Sequence, residues 1–155
     1  EIFNSVTDTI TELGLPSEDL WDSVLSSGTK MWGVAVDDSH TLEDGFYPPG
    51  GGFIYVDADS LDINSILAGM NEGRFYASTG ATINNFSYDL SEYTVEASVI
   101  SNIRFIGSEG AILKEVNALS AVYEYLGNEQ YVRARIESEQ GVAWTQPVFI
   151  DTLRD

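Results

Sequence analysis

The hydrophobic pattern changes character near residue 80. Before it, apolar stripes at helical spacing alternate with short, continuously apolar runs. After it, apolar and polar residues alternate with a period of two, and turn residues break the runs at regular intervals.

In the first half, "LPSEDLWDSVLSSG" predicts a helix. Ser17 can cap it, Glu18 and Asp19 suit its first turn, Gly28 ends it, and Leu20, Trp21, Val24 and Leu25 form its buried stripe. "MWGVAV" reads as a strand covered on both faces, because it is apolar throughout. A loop rich in Asp, Gly and Pro follows, ending in "YPPGGG". "FIYVDA" and "RFYAST" read as two further strands. Between them "DINSILAGMNEG" predicts a helix, with Ile63, Ile66, Leu67 and Met70 on one side. Strand–helix–strand at these lengths predicts an α/β unit with parallel strands.

In the second half, "TINNFSYD", "YTVEASV", "NIRFIG", "AILKEVNAL", "SAVYEYLG", "YVRARIES" and "VAWTQPVFI" read as short strands. Val132, Ala134 and Ile136 share one face; Tyr131, Arg133, Arg135 and Glu137 share the other. This pattern predicts an antiparallel, immunoglobulin-like β-sandwich. The expected fold class is therefore α+β, with an α/β unit over 1–80 and a β-sandwich over 81–155.

Composition narrows the function classes. The 155 residues are 43% hydrophobic, which supports a packed core, and no apolar run is long enough to span a bilayer as a helix. Seven Lys and Arg face 25 Asp and Glu, a formal net charge of −18. That field repels phosphate backbones and anionic lipid, so neither nucleic acid nor a membrane is an expected partner. There is no cysteine, which removes disulfides and thiolate metal sites and fits a cytoplasmic or an exported protein equally.

"WGVAVDDSH" holds the only histidine. In extended chain, residues two apart point the same way, so Asp38 and His40 can converge just past the carboxyl end of a strand. A carboxylate with an imidazole suits zinc, manganese or iron. Two ligands are fewer than a catalytic zinc takes, and an Asx turn carrying a histidine has the same spacing. "DADSLD" lacks the spacing of a calcium loop and reads as a strand end plus a helix cap. "GRFYASTG" offers Arg74 with Ser78 and Thr79 as a phosphate holder, against the plainer reading of a helix-end arginine and a turn. "GGG" has no following Lys-Ser/Thr and is no phosphate loop. No serine sits in a nucleophile elbow.

"EIFN", "LWDSVLSSGTKMWGVAVDDSH", "GGGFIYVDADSLDINSILAGMNEGRFYASTG" and "YVRARIESEQGVAWTQPVFI" together resemble the carboxyl-terminal part of bacterial PHP-domain (polymerase and histidinol phosphatase superfamily) metal-dependent phosphoesterases with an appended β domain. The resemblance implies that residues 1–80 are the end of a distorted α/β barrel. It also implies that Asp38 and His40 match a late Asp-x-His ligand motif, and that the whole protein hydrolyses a phosphoester with divalent metal. The family's early His-x-His has no counterpart here, so this chain by itself is expected to be inactive, with no catalytic residue assigned and metal binding left to the parent. A remnant barrel exposes apolar faces, and a second copy of the chain is one expected cover for them. An alternative reading makes the β-sandwich a carbohydrate- or protein-binding module, through Tyr123, Tyr125 or Trp144.

Overall fold

The computed structural model describes residues 1–6, 17–40, 42 and 49–153, with the side chain of Thr152 excepted. Strand is the commonest regular structure among them, and nearly all of it is antiparallel. The strands are β1 (Phe3–Asn4), β2 (Ala35–Val36), β3 (Phe53–Val56), β4 (Phe75–Ser78), β5 (Ile83–Tyr88), β6 (Glu92–Ile106), β7 (Ile112–Glu124), β8 (Tyr131–Ser138), β9 (Gly141–Thr145) and β10 (Val148–Phe149). The two α-helices among the described residues are α1 (Ser17–Ser26) and α2 (Ile63–Asn71).

Among the described residues the expected barrel remnant is not seen. Among the described residues of the first half, parallel pairing is confined to the two-residue strands β1 and β2. β3 and β4 run antiparallel, in register from Phe53↔Ser78 to Val56↔Phe75, although α2 lies between them in sequence. The reason is local. A parallel crossover needs the helix to carry the chain back along the strand. Here Gly73 turns the chain in the left-handed region (φ 74°), and the Asp57 amide bonds the Arg74 carbonyl at 2.8 Å. The end of β3 therefore meets the start of β4 directly, and α2 buries only Gly69. A Cβ on Gly69 would lie 2.6 Å from the Asp57 carbonyl oxygen, so this contact is backbone against backbone. Of the apolar residues at helical spacing, Ile63 and Leu67 face solvent.

β3 and β4 join the rest of the protein through β9. The principal sheet runs β3-β4-β9-β8-β6-β5, with β10 on β8 and β7 on β6. It therefore crosses residue 80, since β4 pairs with β9. The expected pairs of short strands are fused: "YTVEASV" and "NIRFIG" make one strand, β6, and "AILKEVNAL" and "SAVYEYLG" make β7. β6 kinks where its register moves from Glu96↔Ser120 to Ser101↔Ala118. Its first half pairs with β5 and its second half with β8. Side chains from both halves of β6 share one core with β5, β7 and β8. Tyr93, Val95, Ile103, Phe105, Val132 and Ile136 fill the interior, all under 1% exposed.

The opposite face of β8 and β9 is also covered. Trp21 and Leu25 of α1 pack there with Ile2, Ala35, Tyr131 and Trp144. Arg133 lies beneath this layer, 1% exposed. Its Nε and Nη2 donate to Asp22 at 2.7 and 2.6 Å, and Nη2 lies 2.9 Å from Glu18. The Tyr131 hydroxyl donates to Asp22 at 2.9 Å, and the guanidinium lies 5.0 Å from the Trp21 ring centroid. The charge is compensated by bidentate pairing, which is what burial of an ion demands.

Two predictions follow from these contacts. Asp22→Asn removes the bidentate partner of the buried Arg133 and leaves it Glu18 alone as counter-charge; it should cost about 2–4 kcal/mol in urea denaturation, against under about 1 kcal/mol for the exposed Glu72→Gln. Glu129 gives a pH-dependent case. Burial opposes its charge, but the Tyr123 hydroxyl and the Leu126 and Gly127 amides outweigh it and hold its carboxyl below the ordinary value. A depressed carboxyl stabilises the fold above its unfolded-state titration and loses that contribution as pH falls through the folded one. Glu129→Gln should therefore cost about 1–2 kcal/mol at neutral pH and converge with the parent protein in acid, read from unfolding midpoints across pH.

Candidate functional site

The parallel pair β1–β2 presents its carboxyl ends side by side. The Ile2 and Ser5 amides bond the Val34 and Val36 carbonyls at 2.9 and 3.0 Å, which fixes Asn4 beside Val36. Immediately beyond β2 the chain turns. Asp38 adopts φ 54°, a left-handed conformation that Asp tolerates better than most residues. His40 Nε2 comes to 3.9 Å from Asp38 Oδ1. Asn4 Nδ2 donates to Asp38 Oδ2 at 3.3 Å and to Glu1 Oε2 at 3.2 Å. Both side chains are open to water, at 40% exposure for Asp38 and 69% for His40.

Asp37 has a separate task. Its carboxylate accepts from the Gly50 amide at 2.7 Å and the Ser39 amide at 3.2 Å, and these bonds, Gly50 foremost, hold it below the usual carboxylate range. It thereby pins the glycine triplet onto the turn. Cβ atoms on Gly51 and Gly52 would overlap Ser5 and the Val36 backbone. The triplet is a close-approach segment, not an anion cradle. Asp37, Ser39, His40, Leu42 and Pro49 bound a shallow cavity of about 290 Å³ here.

The donor set suits a divalent ion in kind but not in number. One carboxylate and one imidazole converge, and among the described residues no group of three or more His, Asp or Glu could hold a metal.

Arg74 lies elsewhere, on a cleft that shares no lining residue with the His40 cavity. Its Nε donates to Glu72 at 2.8 Å and its Nη1 to the Asp57 carbonyl at 2.9 Å. The bond from Glu72 is the main reason its basicity is raised. The Ser78 hydroxyl serves the Ala81 carbonyl and the Gly80 amide, and Thr79 Oγ1 accepts from the Val142 amide. These groups are spent on turn structure, so "GRFYASTG" does not assemble a phosphate holder. In "DADSLD", Asp62 caps α2 by accepting from the Asn64 and Ser65 amides. Tyr123 and Trp144 are about 5% exposed, which removes them as a sugar-binding surface.

Sequence reasoning missed two features. One is the Asp22–Arg133 pair, signalled only by an acid inside the helix stripe and two arginines on one strand face. The other is the aromatic lining of the Arg74 cleft, contributed by residues far apart in sequence: Trp32, Tyr55, Tyr76, Phe86 and Tyr88.

No protein-family model matches this chain, and neither a curated protein nor a solved structure gives a significant match.

The glycine triplet provides a test of how the site is built. Gly52→Ala forces a methyl against the Val36 backbone, which cannot yield as a side chain can. It should lower stability by about 1–3 kcal/mol and shift the His40 ring resonances, whereas Gly50→Ala, where a Cβ meets nothing within 4 Å, should leave packing intact and pay only for its backbone angle.

Proposed function

We propose that this chain supplies part of the metal centre of a metal-dependent phosphoesterase, with Asp38 and His40 as ligands. One observation carries the reading: the carboxylate and the only imidazole of the chain converge beyond the carboxyl end of a parallel strand, with Asn4 of the neighbouring strand holding the carboxylate. The resemblance of "AVDDSH" to the late ligand motif of PHP-type phosphoesterases supports the same assignment.

Asp38 and His40 would hold manganese, zinc or iron. The bound ion would supply a hydroxide and neutralise phosphate oxygens. The residues of this chain have simpler tasks. Asn4 fixes which Asp38 oxygen is free, and Asp37 with Gly50 fixes the turn that aims His40. The early His-x-His of that family has no counterpart in this sequence, so the site is incomplete on this reading and the isolated chain has no hydrolytic activity of its own.

Manganese titration followed by NMR tests the ligand assignment. Paramagnetic broadening should reach His40 and Asp38 first and weaken at least about tenfold in Asp38→Asn, with a smaller loss in Asn4→Ala. Broadening that spares His40, or that survives in Asp38→Asn, rejects the ligand assignment. Hydrolysis of p-nitrophenyl phosphate by the isolated chain, lost in His40→Ala, would overturn the claim that the site is incomplete.

A further inference from the structure

We propose that the cleft formed by β3, β4, β5 and the Gln146–Val148 segment is a binding site for a neutral oligosaccharide. This proposal is independent of the metal reading. The cleft measures about 670 Å³, within the range of small-ligand sites.

Its lining combines two kinds of surface. The first is aromatic and open: Tyr55 is 43% and Tyr88 50% exposed. Neither ring is loose. Tyr55 stacks on the buried Tyr76, with centroids 4.8 Å apart and planes at 27°. Tyr88 sits edge-on against the fully buried Tyr93, at 5.7 Å and 72°. Two water-facing rings are thus fixed by buried partners, so a ligand that stacks on them meets platforms already ordered. The second surface is polar. Asn84 and Asn85, both exposed, lie where the β5–β6 register shifts, and both line the cleft. Asp57 and Glu72 add carboxylate acceptors to the lining.

Charge excludes the nearest alternative. Among the described residues Arg74 is the one cation lining the cleft, and its guanidinium is held by Glu72 and the Asp57 carbonyl. With two carboxylates beside it and a chain charge of −18, an anionic ligand is repelled. A wholly apolar ligand would desolvate the amides and carboxylates without pairing them. A small organic cation would satisfy the acids and the rings but leave most of the volume unfilled. A neutral saccharide meets every condition: its C–H faces lie on aromatic rings, and its paired hydroxyls match planar amide and carboxylate groups.

The intact chain should be titrated with cello-, xylo-, malto-, laminari- and chito-tetraose, followed by tryptophan fluorescence and amide chemical shifts. Trp32 lines the cleft, whereas Trp21 and Trp144 are buried, so an emission change reports on this site. At least one sugar should saturate, shift the Asn84 and Asn85 amides, and lose about tenfold or more in affinity in Tyr55→Ala and in Tyr88→Ala. Tyr88→Ala leaves the Tyr55–Tyr76 stack untouched, so it decides the matter if Tyr55→Ala misfolds. The proposal is overturned if no sugar saturates, if the shifted amides lie off the cleft, if folded variants bind as the parent does, or if tetramethylammonium binds there more tightly than every sugar.

Discussion

Arg133 carries a permanent charge where water does not reach, and the arrangement of α1 on the sheet follows from the need to neutralise it. The guanidinium takes both oxygens of Asp22 and one of Glu18, two residues a helical turn apart on α1. Geometry this specific fixes the rotation of the helix and its height along β8 together. Trp21 then lies over the guanidinium and Leu25 is driven into the apolar layer, completely buried. The turn at Ser108–Gly110 closes the arrangement: the Glu109 amide bonds the Ser26 hydroxyl at 2.7 Å, and Gly110 passes close to Asp22. Sliding of the helix would pull the carboxylates off a guanidinium that stays buried, and an uncompensated buried charge is costly.

What the sequence conveyed reliably was facing, not connection. The period-two alternation of "YVRARIES" assigned the two faces of β8 correctly, because a strand offers its side chains only two directions. It could not tell that the face bearing Arg133 and Arg135 is roofed by a helix more than a hundred residues away. The parallel unit read into residues 53–78 failed for a related reason. Apolar spacing in "INSILAGM" reports helix, but whether that helix recrosses the sheet or sits at its end depends on Gly73 and Gly69, whose roles are visible only when the backbones meet. Strand breaks were misjudged where a register shift left the strand continuous, as between Glu96 and Ser101 in β6.

The candidate site was legible to the extent that it is local. Asp38 and His40 are two residues apart, but they approach through a left-handed turn at Asp38 and not through the extended chain that the spacing assumed, whereas Asn4, which orients Asp38, arrives by parallel pairing with β2. Arg74 shows the converse. Its type and position suggested anion binding, yet Glu72, two residues away, already claims the guanidinium. The aromatic cleft was illegible because its rings come from distant strands, each an ordinary β-former in isolation.

β6 also shapes how the chain comes to be folded. It is the partner of β5 and β7, which are near in sequence, and of β8, which is synthesised later. β4 waits longer still, since its second neighbour is β9. During synthesis the hairpin-like contacts around β6 can form early, but the edges destined for β8 and β9 stay open until the last strands leave the ribosome. For that interval the nascent chain presents unpaired, apolar strand edges, which is the condition that chaperones recognise and aggregation exploits. The chain's net charge of −18 then matters before the native state exists, by keeping incomplete chains apart.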